Sequence, residues 1–235
     1  MKKKMYRAAW GFLATVLMAF TLLPNIFADH AGLIEQAPQY FTPEYQEFLK
    51  SAEEESTGYV AQKKQLRVTD SKVLNVPLYQ QENGHFCGPA SVQMVISYLT
   101  GTKIEQETLK NDMGTDSSGT MVYKIQQRLN QTVSSNTYNY FLPSDVTFSN
   151  RLVYSIEKNR PIVCHVVPSR LTSSSTSTST GHYLVATGYH AGFSGSTYVE
   201  TCYYNDPYND SRYYGKHTCS ISEMSNAMKD YYISA

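Results

Sequence analysis

At 235 residues, the chain is long enough for one large domain or for a domain with an extension. Its 20 Lys and Arg are balanced by 20 Asp and Glu, which argues against nucleic acid as the main partner. Composition is otherwise that of an ordinary globular protein, apart from its 20 tyrosines.

The first 28 residues stand apart. Lys2, Lys3, Lys4 and Arg7 form a basic head, and an uncharged apolar stretch runs from Ala8 to Ala28. Pro24 and Asn25 interrupt it, and Ile26-Phe27-Ala28 puts small or aliphatic residues where signal peptidases cut. This reads as a secretory signal peptide cleaved after Ala28. About 20 apolar residues could instead span a bilayer as an anchor, but the break at Pro24 favours cleavage. The expected product is secreted, extracellular or at the cell surface, mildly acidic, and free of the membrane once the signal is gone. In such a compartment its cysteines, at 87, 164, 202 and 219, can form disulfides.

Residues 29–71 are polar, with one predicted helix over Pro43–Glu55. Thr42 is its N-cap, and Tyr45, Phe48 and Leu49 form a thin apolar face. A packed helix, a pro-segment and a spacer all fit this stretch. The main domain is expected over 72–235. It begins with a short strand, VLNVPLYQ, and then a turn-rich segment leading into Cys87. From Ala90 to Leu99 apolar residues recur at helical spacing, with Pro89 in the first turn and Gly101 as the stop. Further helices are predicted over Ile104–Met113, Met121–Leu129 and Val146–Glu157, followed by a buried strand, PIVCHVV. A Ser/Thr-rich loop, Pro168–Gly181, comes next. HYLVATGYH, STYVETCYYND and YYGKHTCSIS read as strands, and Ser222–Tyr231 as a final helix. A helical half followed by a mostly antiparallel sheet is the α+β class.

Cys87 lies at the start of a helix, where unpaired amides and the helix dipole favour a thiolate. Such a cysteine, taken alone, is more often a small buried residue than a nucleophile. A nucleophile needs a base. Of the six histidines, His182 follows the mobile-looking loop and opens a strand, a fitting place at a cleft mouth. A third group should orient the imidazole. If the next strand is an antiparallel neighbour, its end brings Asp206 near His182; otherwise Asp206-Pro207 is a plain turn. Gln81, six residues before Cys87, could donate to a developing oxyanion beside the Cys87 amide, with Gln80 as its competitor.

Gln81, Cys87-Gly88-Pro89-Ala90-Ser91, Gly181-His182-Tyr183 and Asn205-Asp206-Pro207 together resemble the signature of papain-like cysteine peptidases. The likeness is greatest to the bacteriocin-processing peptidase-like family, cysteine peptidase family 39, and covers roughly Val73–Ile233. It implies a papain-like fold, nucleophile Cys87, base His182, orienting Asp206, oxyanion donor Gln81, and peptide-bond hydrolysis through a thioester acyl-enzyme with no cofactor. Well-known members remove double-glycine leaders as cytosolic domains of exporters. Here no transporter region is present and the domain is itself expected to be exported, so a peptide or protein substrate is expected, including cell-wall peptide. Cell-wall amide hydrolysis, acyl transfer by the same residues, and a non-enzymatic binding module are the alternatives.

Cys202 and Cys219 flank the Asp206 turn, and a disulfide between them is expected to brace it. Cys164 is read as a core residue, His165 as structural and His85 as a loop histidine. No CxxC or HxxxH pair is present to call for zinc.

Overall fold

The computed structural model describes residues 35–65, 70–133, 137–144, 146–172, 181–194 and 197–235. The expected signal peptide and most of the Ser/Thr loop lie outside the described residues. A helical half comes first: α1 (Pro43–Gln65), α2 (Cys87–Thr100), α3 (Gln106–Met113), α4 (Val122–Val133) and α5 (Phe148–Glu157). The strands are β1 (Asp70–Val73), β2 (Asn139–Phe141), β3 (Ile162–Val166), β4 (His182–Ser194), β5 (Thr197–Asp206), β6 (Gly215–Ser220) and β7 (Met228–Ser234), with α6 (Ile221–Ala227) between the last two. They form one antiparallel sheet in the order β2-β7-β3-β4-β5-β6, and β1 pairs with the outer part of β4.

α2 is buried on every side from Cys87 to Ile96, as a helix without a polar face must be. It ends where Gly101, at φ 72°, turns left-handed and donates to Ser97 O. The core spreads from this helix onto the sheet through Met94, Ile96, Leu184, Tyr204 and Tyr232, all buried.

Three elements differ from expectation. The strand predicted over Val73–Gln80 is not formed beyond Val73, which is the last residue of β1. Pro77 has no N–H to give a ladder, and Val76 N turns back to Leu74 O at 2.8 Å. The first helix runs ten residues beyond Glu55. Leu49, Ala52, Ser56 and Val60 are all buried along one face, but two of them are small, so the stripe was inconspicuous. The helix expected to reach Tyr231 ends at Ala227, and β7 takes over. Its Tyr231, Tyr232 and Ile233 are buried between β2 and β3. A strand covered on both faces reads as a continuous apolar run, which helical spacing also accommodates.

Residues 35–65 are docked onto the domain. Tyr45 Oη donates to Tyr140 O at 3.0 Å and accepts from Tyr140 N at 3.2 Å. Glu53 accepts from Thr147 N and Thr147 Oγ1, both at 2.8 Å. At the far end Lys63 bridges Asp70 of β1 at 2.7 Å and Glu157 of α5 at 3.1 Å.

Candidate active site

Cys87 is the first residue of α2, and no side chain caps this helix. The Gly88 amide of its first turn and the Tyr183 amide of β4 both hydrogen-bond the thiol. Close packing holds the helix end there. A Cβ built on Gly88 would lie 2.3 Å from Thr120 Oγ1, so only glycine fits. Thr120 is anchored in turn, by Thr115 Oγ1 at 2.7 Å and by the Tyr183 hydroxyl, which donates to Thr120 O at 2.7 Å.

The sheet supplies the other two groups. His182 opens β4 and Asp206 closes β5. The register pairs Val185 with Asn205, so Asp206 falls one step further, diagonal to His182 and within reach of its ring. His182 Nε2 and Asp206 Oδ1 are 2.7 Å apart, and both side chains are buried. The other ring nitrogen, Nδ1, is left for the hydrogen bond with Cys87. Asp206 Oδ1 also accepts from Tyr208 N at 2.9 Å, and the Tyr208 ring meets the imidazole edge-on, with centroids 5.5 Å apart. Asn205 holds the strand end to the chain entering α2, donating to Val76 O at 3.2 Å.

Burial pushes the Cys87 thiol up, but the His182 hydrogen bond and charge, with the two amides, bring it below its ordinary value. Burial likewise disfavours the His182 cation. The Asp206 hydrogen bond, then that of Cys87, reverse this and push the imidazole up to about 10. Both directions favour the thiolate–imidazolium form of the pair over the neutral one. Such a pair can attack an electrophilic carbonyl and protonate the leaving group.

Gln81 is buried in the segment that feeds α2. Its N–H donates to Pro207 O at 2.7 Å, which ties the segment to the strand end carrying Asp206. Its side-chain Nε2 donates to Asn83 O at 2.9 Å. An amide nitrogen has two N–H groups, so one is left over. The backbone of Gln80, the competitor, is held from another direction, as described below.

His165 is not at the reacting centre. Its Nδ1 lies 2.6 Å from Asp230 Oδ1 of β7, and its ring stacks on Tyr183 with centroids 4.4 Å apart. A Cβ on Gly181 would fall 2.1 Å from His165 Nε2, so this imidazole is what requires glycine before His182. Asp230 escaped notice because its segment reads as helix. Thr120 and Tyr183 gave no signal beyond Tyr183's place after His182.

The expected Cys202–Cys219 disulfide is not formed. The two residues are paired across β5 and β6 as the strand argument requires, but all four cysteines are free thiols. Cys164 is a buried core residue of β3. Among the described residues, no cluster of three His, Cys, Asp or Glu side chains could hold a metal ion.

Similar solved structures include a double glycine motif protease from an AMS/PCAT transporter, in complex with the leader peptide. It is 18% identical, aligned over 69% of this chain and 91% of that one, with a TM-score of 0.43. A C39-like peptidase from Bacillus anthracis is 15% identical over 71% and 98%, at 0.49. The bromelain protease of Ananas comosus is 14% identical over 70% and 98%, at 0.48. No curated protein matches. A family model does: that of the Peptidase_C39 like family, over residues 73–234, more than half of the chain. The chain belongs to the Peptidase_C39 like family.

Proposed function

We propose that this is a secreted cysteine peptidase that cleaves peptide bonds through a Cys87 thioester. Residues 1–28 are removed on export, 29–71 form an extension, and 72–235 carry the activity. The observation that carries the reading is the linked set Cys87, His182 and Asp206, with 2.7 Å between His182 Nε2 and Asp206 Oδ1 and a hydrogen bond from His182 to the thiol.

In this reading the Cys87 thiolate attacks the scissile carbonyl carbon. The Cys87 amide and the Gln81 side chain hold the oxyanion. His182 passes its proton to the leaving amine as the C–N bond breaks, which leaves the acyl group on sulfur. A water that gives its proton to His182 then splits the thioester and restores the thiolate. Asp206 keeps the ring in position and stabilises its cation throughout. The substrate is a peptide lying across the cleft between helices and sheet; a similar transporter protease was solved in complex with a leader peptide.

The test combines iodoacetamide labelling with hydrolysis of a mixed pool of peptidyl aminomethylcoumarins. Fast labelling confined to Cys87, and hydrolysis absent in Cys87→Ala, are expected. Labelling no faster than in the denatured chain would sink the enzyme reading and leave a binding module. Fast labelling with turnover of cell-wall stem peptides alone would move the substrate to the wall. An exported product that begins at Asp29 is expected from N-terminal sequencing.

A further inference from the structure

Gln106, the first residue of α3, lies 25 positions after Gln81 and belongs to no part of the catalytic motif. The residue is 1% exposed, and both N–H donors and the carbonyl oxygen of its side chain are engaged, two of the three bonds going to the residues flanking Gln81. Nε2 donates to Gln80 O at 2.8 Å and to Gln93 Oε1 at 3.0 Å, while Oε1 accepts from Glu82 N at 3.0 Å. The amide thus grips the backbone on both sides of Gln81, as a neighbouring strand would. Gln81's own N–H is held by Pro207 O at 2.7 Å.

The grip is referred back to the nucleophile's helix. Gln93, six residues after Cys87 on α2, is 1% exposed and donates to Ile104 O at 2.6 Å, just ahead of α3. One continuous chain of hydrogen bonds therefore runs from α2 through Gln93 and Gln106 to the peptide groups flanking Gln81. Buried amides leave no water to take over a missing partner, so losing one loosens the segment. A donor to an oxyanion must be in place before charge develops.

We infer that Gln106 is a positioning residue for the oxyanion donor, setting Gln81 against Cys87 through the Gln93 relay. The inference rests on the peptidase reading, in which Gln81 faces the oxyanion. Removing an oxyanion donor outright costs about 10²–10³ in kcat, and a misplacement near 1 Å about 10².

The experiment compares Gln106→Met, Gln81→Ala and the double variant, using the full chain and the aminomethylcoumarin pool. Gln106→Met should lower kcat about 10- to 100-fold with KM little changed. Iodoacetamide, whose attack needs the thiolate and no oxyanion hole, should still label Cys87 at the wild-type rate. The double variant should be no worse than Gln81→Ala. Unchanged kcat, losses that multiply in the double variant, or a fall in labelling matching the fall in kcat would overturn the inference. Should Gln106→Met fail to fold, Gln106→Glu keeps the acceptor for Glu82 N–H while its carboxylate replaces the donors to Gln80 O and Gln93 Oε1. Hydrogen exchange needs no substrate. Faster exchange at the Glu82 amide in Gln106→Met supports the clamp even where the wild type turns over no peptide, and unchanged exchange overturns it.

Discussion

Replacing Asp206 by asparagine removes the charge behind His182 while keeping the size of the side chain. In the native site the imidazole is raised from 6.5 to about 10 although burial works against its cation. A change of that size corresponds to roughly 5 kcal/mol in favour of the imidazolium. Asp206 is the first of the groups that raise it, ahead of Cys87. Losing a buried hydrogen bond to a charged group costs up to about 3 kcal/mol, or about 10² in the population of the ion pair. The sign follows directly. A raised histidine keeps its proton until the pH passes its folded value, so the leaving-group acid of the native enzyme is present up to near pH 10 and lost above. In Asp206→Asn the alkaline limb of kcat should fall by about 2 pH units and the plateau rate by about 10²-fold. The assay is the pH profile of peptide hydrolysis, run beside iodoacetamide labelling of Cys87. An alkaline limb that stays near its native position in Asp206→Asn would refute the assignment of His182 to Asp206.

Other outcomes follow from the same contacts. In His182→Ala the thiol keeps its burial and loses the foremost of the groups that lower it, so the pH for half-maximal labelling of Cys87 should move upward from native. Gly88→Ala drives a methyl against Thr120, and a melting curve should show a loss of about 1–3 kcal/mol. Gly181→Ala drives a methyl into His165. Its cost should shrink when His165→Ala is added, a non-additivity that a double-mutant cycle on thermal stability would reveal; full additivity would mean that another neighbour sets the requirement. Tyr45→Phe loses both hydrogen bonds to Tyr140 and should destabilise the docking of α1 by about 1 kcal/mol, seen as earlier proteolysis within residues 35–65.

The readable parts of this protein are those whose signals are local. Cys87 before a helix that closes at Gly101 can be seen in a short window, because apolar period, proline in the first turn and a glycine stop all act within a few residues. His182 at a strand start and Asp206 at a strand end are readable for the same reason. β7 was not, since Met228–Ser234 repeats apolar residues at a spacing that helix and buried strand share, and its place between β2 and β3 depends on residues far away. With β7 went Asp230, and with Asp230 the partner of His165. The extra turns of α1 were hidden by Ala52 and Ser56, small residues that become an inward face only against α5. Gln106 looked like any polar residue at a helix start. Nothing within reach in the sequence says that its amide meets Gln80 and Glu82.

The order of the chemical groups and the element on which each sits depend on neighbours along the chain, and both are written in its residues. The sequence also carries the family likeness, which is a matter of residue types at set separations. The register of β4 on β5, which brings Asp206 diagonally onto His182, is chosen by side chains of the whole sheet and exists only in the assembled fold. The same is true of the charge state of Cys87. Burial pushes its thiol one way and a strand-borne imidazole the other, and which one wins depends on a contact between residues 95 positions apart. The pairing of Cys202 with Cys219 across β5 and β6 belongs to the same class, since it follows from the register of those two strands.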